Sequence, residues 1–362
     1  MMNIIQCDKA HNASVQNQLI FDWLNADWTD SPWLDGKPAV FIPLLNSNGM
    51  SVVIMDIGAT WLSCKLPIFN ANNQHGREVV LRSPSMNEHI KQTAYFGAII
   101  GRYSNRIANG QFSLSGKTYQ LPQNQDVHSL HGGYQGFDKK RWRILETTPS
   151  SVLLGYLSPD GEEGYPGELS VTILYHLSDD NNLSITYEAF CADKTVVNLT
   201  NHAYFNLAGI ESDKTVFEHQ FEICADYYLP VDQANIPIGE LRPVSGTDFD
   251  FKSLTYLKQE IDHTFIFNQE LTNSNSVVAQ VLSPDKDVTM VVKTTKPTAQ
   301  FYTGNYLAGN TSPYGRYQRG SGFAIETQYI PDGPNQFGLG LHQGILPAKV
   351  HYHHTTSYGF MF

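Results

Sequence analysis

The chain of 362 residues is long enough for one large all-β domain or two average domains, and its hydrophobic content of 41% supports a sizeable core. The formal net charge of −11 argues against binding to nucleic acids or anionic membranes, which favour basic surfaces. No apolar run approaches the length of a membrane span, and residues 1–17 lack the pattern of a signal peptide. We therefore expect a cytoplasmic protein.

The cysteines are few and far apart. Cys7, Cys64, Cys191 and Cys224 contain no CxxC pair, which argues against a zinc ribbon and against a thioredoxin-like redox site. Scattered thiols in a chain of this length are typical of buried cysteines in a reducing compartment. This pattern agrees with a cytoplasmic location.

Short β-type runs dominate the chain from residue 39 onward. Residues 1–36 contain three tryptophans but no clear period, so the role of this segment is open. Helical periodicity is modest and restricted to residues 85–95 and 253–259. Turn pairs such as Asn109-Gly110 and Asp160-Gly161 separate the predicted strands. The β-branched and aromatic runs predict strands at residues 40–42, 51–55, 78–81, 141–145, 152–154, 169–175, 183–187 and 288–292.

Many short strands with few helices indicate an all-β sandwich or barrel. The strands do not recur at a fixed period, which makes a propeller less favourable. No segment rich in proline, glycine and serine divides the chain. We therefore predict a single domain over residues 1–362, built from long antiparallel sheets around one elongated core.

Two side chains have the character of an acid/base pair. His202 follows the predicted strand 195–197 and lies among asparagine, threonine and aromatic residues, where its imidazole could exchange a proton near neutral pH. Glu326 lies in an otherwise apolar or neutral strand, where a carboxylate is either paired or used in chemistry. The alternative for His202 is a structural histidine at the end of a strand.

Other polar side chains near predicted strands suit a ligand with many hydroxyls. Asn105 and Arg106 form an adjacent pair of hydrogen-bonding side chains, and His131 precedes two glycines that permit close approach. Asp262 precedes an apolar strand, and Gln300 lies on an alternating one. Each also has a structural alternative, such as an ion pair of Arg106 with an acidic residue.

Motifs for other chemistries are missing from the sequence. It has no GxSxG elbow, P-loop, Rossmann fingerprint or HExxH motif, so serine hydrolases and nucleotide-dependent enzymes lose support. The run at residues 351–354 contains three histidines, but neighbouring strand residues point to opposite faces. Only His351 and His353 could share a face, so we predict no metal site there.

Seven segments together, in this order, resemble the aldose 1-epimerase (galactose mutarotase) family. The resemblance runs from about residue 45 to the C-terminus, and the set is highly specific although each segment alone is weak. Family members often carry alanine where Ser104 stands. The segments are GAIIGRYSNRI at residues 97–107, SLHGG at 129–133, GEEGYPGE at 161–168, NHAYFNL at 201–207, IDH at 261–263, QFYTGN at 300–305 and ETQ at 326–328.

The resemblance implies a large antiparallel β-sandwich with a sugar cleft on one sheet. It places the catalytic acid at His202 and the catalytic base at Glu326, acting on free aldohexoses without metal or other cofactor. We expect the neighbouring carboxylate to keep His202 charged, and a monomer or homodimer without nucleic-acid or membrane partners. The sugar-binding positions that the resemblance implies are Asn105, Arg106, His131, Asp262 and Gln300.

Three alternatives remain open at this stage. A hexose-phosphate epimerase of the same fold would require an additional cationic cluster, for which the acidic composition gives no sign. A non-catalytic sugar-binding module would not need both His202 and Glu326. A glycosidase or lyase would require a second carboxylate across the scissile bond, for which Asp262 is the candidate.

Overall fold

The computed structural model describes residues 23–69 and 76–362, and strands dominate both parts. The α-helices are short: α1 (Ala26–Thr29), α2 (Met86–Lys91) and α3 (Gln269–Asn273). Single 3₁₀ turns occur at Ala108–Gly110, Phe137–Lys139, Glu162–Gly164, Val216–Glu218, Gly333–Asn335 and Phe337–Leu339. The strands are β1 (Phe41–Leu45), β2 (Ser51–Met55), β3 (Thr60–Leu66), β4 (Arg77–Glu78), β5 (Ile99–Ile100), β6 (Arg106–Ile107), β7 (Gln111–Leu114), β8 (Lys117–Gln120), β9 (Ser129–Leu130), β10 (Arg143–Thr148), β11 (Ser151–Ser158), β12 (Leu169–Leu177), β13 (Asn182–Cys191), β14 (Thr195–Val196), β15 (Thr200–Asn201), β16 (Gln220–Ile223), β17 (Ala225–Leu229), β18 (Arg242–Pro243), β19 (Thr255–Tyr256), β20 (Asp262–Phe267), β21 (Val277–Leu282), β22 (Thr289–Thr294), β23 (Thr298–Tyr302), β24 (Thr311–Ser312), β25 (Gly315–Arg316), β26 (Ala324–Gln328), β27 (Ile345–Leu346) and β28 (His351–Met361).

One layer of the fold is a nine-stranded antiparallel sheet. Its strand order is β10-β11-β12-β13-β28-β22-β21-β16-β19. Along β12 every second residue, from Leu169 to Leu177, is buried, while those between are exposed or intermediate. This period of two is the pattern of a sheet with one face on the core and the other in water.

The second layer combines a four-stranded sheet, β1 to β4 in order, with a five-stranded sheet of order β18-β17-β20-β23-β26. Both pack on the inner face of the nine-stranded sheet. The Trp61 ring of β3 lies 5.4 Å from that of Tyr358 on β28, and the Tyr358 hydroxyl donates to the Ile325 carbonyl of β26 at 3.1 Å. The arrangement confirms the predicted all-β antiparallel sandwich.

Strand alternation on β26 decides which side chains reach the core. Ile325 is buried in the main hydrophobic cluster, and the Thr327 hydroxyl lies 2.5 Å from that of Thr356 on the nine-stranded sheet. Successive strand residues point to opposite faces. Glu326 is therefore directed to the other side of the five-stranded sheet, away from the core of the sandwich.

The two predicted helices have different outcomes. The segment 85–95 contains α2, and the Ser85 hydroxyl caps it by accepting from the Glu88 N–H at 3.3 Å. The prediction of a helix at 253–259 is wrong, because Thr255–Tyr256 forms β19 at the edge of the nine-stranded sheet and pairs with β16. β-branched and aromatic residues favour this edge position, and the pairing outweighs the weak helical period.

The described part of the N-terminal segment packs on the sandwich. Trp28 of α1 and Trp33 are buried with Phe41, and the His89 ring of α2 lies 5.8 Å from Trp28 and 6.1 Å from Trp33. This cluster covers the outer side of β1 and β2.

The signal-peptide prediction at residues 1–17 and Cys7 lie outside the described residues. Within the described part, no helix has the length and apolar character that crossing a membrane requires.

Candidate active site

A cleft on the outer face of the five-stranded sheet brings all seven predicted site residues together. It contains about 650 Å³ of empty space, including its open mouth. Residues separated by more than 200 positions in the sequence meet there. The lining residues are Thr93, Ala94, Tyr95, Asn105, Arg106, Gln125, Leu130, His131, His202, Tyr204, Asp262, Gln300, Tyr302, Tyr306 and Glu326.

The backbone around His202 is fixed by the strand pairing of β15 with β5. The His202 N–H donates to the Ala98 carbonyl at 2.9 Å, and its own carbonyl accepts from the Gly97 N–H at 3.0 Å. The Tyr95 ring lies 5.9 Å from the imidazole in a stacked orientation, and the Tyr204 ring lies 4.9 Å away. Two aromatic rings and a fixed backbone therefore restrict the imidazole to one position.

His202 and Glu326 are neighbours at the bottom of the cleft. His202 Nε2 lies 3.6 Å from Glu326 Oε1, and both side chains are almost completely buried. Glu326 stands opposite Gln300 in the pairing of β23 with β26. Among the described residues, Glu326 Oε2 and His202 Nδ1 have no hydrogen-bond partner. Buried polar atoms without partners are costly, so these two atoms are available to a ligand with hydroxyl groups.

Burial shifts the proton affinities of this pair in opposite directions. Removal from water lowers the pKa of His202 to about 4. The pKa of Glu326 is raised well above its usual value, first by burial and then by the nearby Asp262 carboxylate, with Arg106 acting in the opposite direction. The expectation that the carboxylate keeps His202 charged is wrong for the unliganded protein, because desolvation of both groups outweighs their attraction.

Asn105 and His131 are joined by two hydrogen bonds, one from backbone to ring and one between the backbones. The Asn105 N–H donates to His131 Nδ1 at 3.1 Å, and the His131 N–H donates to the Asn105 carbonyl at 3.2 Å. Both residues have positive φ, 64° for Asn105 and 53° for His131, a backbone region that few non-glycine residues adopt. Because Nδ1 accepts a hydrogen bond, the neutral His131 ring carries its proton on Nε2.

The predicted role of the glycine pair after His131 is confirmed at Gly132. Its φ of 90° is in the region that favours glycine, and a Cβ atom there would lie 1.9 Å from the Gly101 carbonyl oxygen. The loop that carries His131 can therefore pack directly on the loop that precedes Asn105. No residue with a side chain fits at this contact.

The Arg106 guanidinium is held at the side of the cleft by Gln125. Its Nε donates to Gln125 Oε1 at 2.8 Å, and the Arg106 backbone N–H donates to Asn105 Oδ1 at 2.8 Å. The structural alternative, an ion pair of Arg106 with an acidic residue, does not occur among the described ion pairs. Within residues 23–69 and 76–362 the other N–H groups of the guanidinium have no partner and can donate to a ligand.

Asp262 and Gln300 lie on neighbouring strands, β20 and β23. Gln300 Nε2 donates to Asp262 Oδ1 at 2.6 Å, and Gln300 Oε1 accepts from the Thr264 hydroxyl at 2.5 Å. Thr264 and Gln300 are direct partners across the two strands. The amide group of Gln300 is thus engaged on both sides, and its geometry orients the Asp262 carboxylate.

Sequence reasoning missed several residues that line the cleft. Tyr95, Tyr204 and Gln125 contact the predicted residues, and Tyr306 is an exposed ring at the mouth. Tyr204 lies two residues after His202 in the HAYFNL segment, and this proximity could have predicted its place in the cleft. Tyr95 and Gln125 lie in loops without a motif, and only the tertiary structure brings them to the site.

The cluster of His131, His202 and Glu326 also has the composition of a metal centre. Ligand atoms of His131, His202 and Glu326 lie within 4.8 Å of one another, and two histidines with one carboxylate form a known type of iron site. However, His131 Nδ1 already accepts the Asn105 N–H, so Nε2 carries the proton and lacks a free lone pair. The cluster therefore fits a metal poorly unless that hydrogen bond breaks.

The histidines of residues 351–354 lie on β28, away from the cleft. His351 and His353 are exposed on one face, as predicted from the strand alternation, while Tyr352 is buried on the other. His353 Nδ1 lies 3.1 Å from Glu188 Oε1 on β13. Neither of these two histidines belongs to the metal-type cluster found among the described residues.

Comparison with known proteins gives a family for this fold and cleft. A family model described as aldose 1-epimerase matches residues 41–359. An aldose 1-epimerase from Haemophilus influenzae is 42% identical over 338 residues, covering 90% of this chain and 97% of that protein. A galactose mutarotase from Rattus norvegicus is 38% identical over 328 residues, covering 87% and 92% of the two chains.

Solved structures agree with this relationship. The structure of an aldose epimerase homologue from C. elegans has a TM-score of 0.82 at 28% identity, covering 89% of this chain and 99% of that chain. A galactose 1-epimerase from Lactobacillus acidophilus has a TM-score of 0.77 at 28% identity, covering 91% and 97%. The match of the family model over most of the chain, with relatives at about 40% identity, shows that the chain belongs to the aldose 1-epimerase family.

Proposed function

We propose that the chain interconverts the α and β anomers of free aldohexoses, with His202 as the general acid and Glu326 as the general base. The observation that carries this proposal is the buried pair itself, 3.6 Å apart at the bottom of a cleft. The relatives named aldose 1-epimerase and galactose mutarotase support the same activity. Galactose and glucose are the substrates to test first.

The reaction requires two proton transfers in one turnover. Opening of the pyranose ring removes a proton from the C1 hydroxyl and delivers a proton to the ring oxygen. The Glu326 carboxylate accepts the first proton, and the His202 imidazolium donates the second, so the C1–O5 bond breaks and an aldehyde forms. Rotation about the C1–C2 bond exposes the other face of the aldehyde. Closure reverses both transfers and returns the pair to its starting protonation state.

The pKa shifts of the pair favour the state that ring opening produces, a neutral imidazole beside a protonated carboxyl, and the charged pair that starts the reaction forms from this neutral pair when the sugar binds. A lowered pKa makes the His202 imidazolium a stronger acid, and a raised pKa makes the Glu326 carboxylate a stronger base. Ring opening converts the charged pair into a neutral one, which is the form that burial stabilises.

Five further side chains form the proposed sugar site, four as direct contacts and Gln300 through its hydrogen bond to Asp262. Asp262, oriented by Gln300, accepts hydrogen bonds from hydroxyl groups, and the Nε2–H of His131 donates one. Arg106, held by Gln125, donates to an oxygen near the reacting centre, and Asn105 offers its free amide N–H groups. Several fixed donors and acceptors of this kind would position C1 and the ring oxygen against the catalytic pair.

The phosphorylated-sugar alternative finds less support at this site. Arg106 is the one lysine or arginine that lines the cleft among the described residues, and Asp262 and Glu326 lie beside it. A phosphate group carries up to two negative charges and would be repelled by the Asp262 carboxylate unless more cations offset it. The free sugar, which carries no charge, is the better match.

We also propose that residues 1–362 form one domain, that the protein is cytoplasmic, and that it acts as a monomer or homodimer without nucleic-acid or membrane partners. The family match over residues 41–359 supports the single domain. The free thiols Cys64, Cys191 and Cys224 and the net charge of −11 support the location and the partner assignment.

Polarimetry of freshly dissolved α-galactose and α-glucose tests the proposed activity. The wild-type protein should bring both sugars to anomeric equilibrium faster than the spontaneous reaction, and prior treatment with a chelator should leave the rate unchanged. The matched control is the Glu326→Gln variant at the same protein concentration, because it lacks the proposed base. A rate no higher than the spontaneous one would refute the activity, and loss of activity with the chelator would refute the metal-free mechanism.

A further inference from the structure

Tyr302 is a residue of the cleft to which the proposed function gives no role. It is the last residue of β23 and stands two positions after Gln300, so both side chains lie on the cleft side of the five-stranded sheet. Its partner across β20 is Asp262. The Tyr302 residue is only 7% exposed, and its ring meets that of Tyr204 edge-on, with the centroids 5.9 Å apart. The phenol is therefore fixed beside the carboxylate that is proposed to bind the sugar.

The turn after β23 determines how the Tyr302 hydroxyl can bond. Gly304 has a φ of 70°, and a Cβ atom there would lie 2.4 Å from the Gly322 carbonyl oxygen, so only glycine fits. The chain turns back at this glycine, and the Tyr306 N–H donates to the Tyr302 hydroxyl oxygen at 2.7 Å. The oxygen is thus engaged as an acceptor of a backbone hydrogen bond, while the O–H remains a donor.

The proton of this hydroxyl has no acceptor within residues 23–69 and 76–362. Burial raises the pKa of Tyr302, the Tyr306 N–H acts in the opposite direction, and the Asp262 and Glu326 carboxylates add to the rise. The phenol is therefore protonated at neutral pH. A largely buried donor without an acceptor is costly, so this O–H is available to an oxygen atom of a ligand in the cleft.

We infer that Tyr302 and Asp262 hold the same hydroxyl group of the sugar from two sides. A sugar hydroxyl can donate one hydrogen bond and accept another, so it can donate to the Asp262 carboxylate while its oxygen accepts the Tyr302 O–H. Gln300 already engages Asp262 Oδ1, so Oδ2 is the oxygen that is open to the sugar. The inference rests on the proposed function and adds to it a residue that contacts the substrate.

This paired contact makes Tyr302 a specificity determinant rather than a catalytic group. An aldose that lacks the hydroxyl in question would leave both the Asp262 carboxylate and the Tyr302 O–H without a partner in the cleft. Sites built to hydrogen-bond a substrate hydroxyl reject analogues that lack it, because the polar groups of the site are then left unpaired. The proton transfers at His202 and Glu326 do not involve the phenol. Its loss should therefore affect substrate binding more than turnover.

Anomerisation kinetics with galactose and its monodeoxy derivatives test the inference. Tyr302→Phe keeps the ring and should raise KM for galactose by about fivefold while kcat changes by less than about twofold, the size expected for one neutral hydrogen bond. One deoxy sugar should lose less kcat/KM relative to galactose in Tyr302→Phe than in wild type. Tyr317→Phe is the matched control and should keep the wild-type KM, because the Tyr317 hydroxyl bonds to the Arg82 backbone in the same aromatic cluster, outside the cleft.

Asp262→Ala keeps the test decisive even if Tyr302→Phe does not fold. The deoxy sugar whose penalty Asp262→Ala reduces should still react about threefold less well than galactose, because the Tyr302 O–H remains bonded to that hydroxyl. Three results would each overturn the inference: a wild-type KM in folded Tyr302→Phe, a penalty that Asp262→Ala abolishes completely, or different deoxy positions for the two variants. A wild-type protein that does not accelerate anomerisation would instead refute the proposed function, and this inference with it.

Discussion

Gln300 Nε2 donates a hydrogen bond to Asp262 Oδ1 at 2.6 Å, while Gln300 Oε1 accepts from the Thr264 hydroxyl at 2.5 Å. The amide cannot rotate without losing both bonds. Gln300 therefore acts on the proposed sugar site through the orientation that it gives to Asp262. Gln300 is thus a positioning residue for the Asp262 carboxylate, which is proposed to bind the ligand directly.

Gln300→Leu should raise KM for galactose by about tenfold and lower kcat less, because a hydrogen bond to a charged group contributes ~1.5–3 kcal/mol. Steady-state polarimetry separates the two constants. In an Asp262→Ala background the same substitution should have little further effect, since both changes remove the same oriented carboxylate. Gln328→Leu on the neighbouring strand is the matched control and should leave KM unchanged. Additive effects of the Asp262 and Gln300 changes would contradict the positioning role.

The His202 and Glu326 pair should behave as one unit. His202→Ala and Glu326→Gln should each reduce kcat by about 10²- to 10⁴-fold, the range for loss of a general acid or base. The double variant should be little worse than the worse single variant, because one proton-transfer event requires both groups. His219→Gln removes a buried histidine outside the cleft and should keep kcat near wild type. If the two losses multiply independently, His202 and Glu326 do not act as a coupled pair. Asp262 is then the next carboxylate to consider.

The pH profile of kcat/KM should be a broad bell whose limbs belong to the pair rather than to single residues. The pair holds one proton in its working state. Because burial lowers the pKa of His202 to about 4, a second proton binds only near that pH, and the acidic limb should lie there. The raised pKa of Glu326 moves the alkaline limb, where the shared proton leaves, well above the usual carboxyl range. An acidic limb near the ordinary histidine pKa of about 6.5 would show that His202 is not desolvated during catalysis.

A buried histidine outside the site should make the fold sensitive to acid. His219 Nε2 accepts the Leu207 N–H at 3.1 Å, its Nδ1 donates to the Thr215 carbonyl at 2.9 Å, and burial lowers its pKa to about 4. Between about pH 6.5 and 4, the unfolded chain binds a proton that the native ring does not. The free energy of unfolding should therefore fall as the pH drops through this window, by up to ~3 kcal/mol from this residue.

Denaturant unfolding at several pH values measures this contribution. His219→Gln should have a smaller loss of unfolding free energy between pH 7 and pH 5 than the wild type, although it is less stable at pH 7. His176→Gln, on the exposed face of β12, is the control and should retain the wild-type slope. Equal slopes for His219→Gln and wild type would mean that the buried ring takes up a proton in the native state.

The sequence determined the architecture because its strand signals are local and repeated. The β-branched and aromatic runs at residues 169–175 and 183–187 predicted β12 and β13, which the structure extends to Leu169–Leu177 and Asn182–Cys191. The modest helical periodicity of residues 85–95 predicted α2. The prediction of a helix at 253–259 failed because this segment pairs with β16 at a sheet edge. Such a long-range interaction cannot be detected from the local spacing of hydrophobic residues.

The seven predicted site residues were found through motif resemblance and local character, and the tertiary structure brings every one of them to a single cleft. The structure alone decided how they act on one another. Three properties depend on neighbours that lie far away in the sequence. They are the tautomer of His131, the hydrogen bond of Gln300 to Asp262, and the pKa shifts of His202 and Glu326. Desolvation in particular is a property of the packed cleft, because water is excluded only when several loops and the sheet close around the pair. For this reason the resemblance could propose His202 as the acid and Glu326 as the base, whereas their proton affinities depend on the fold.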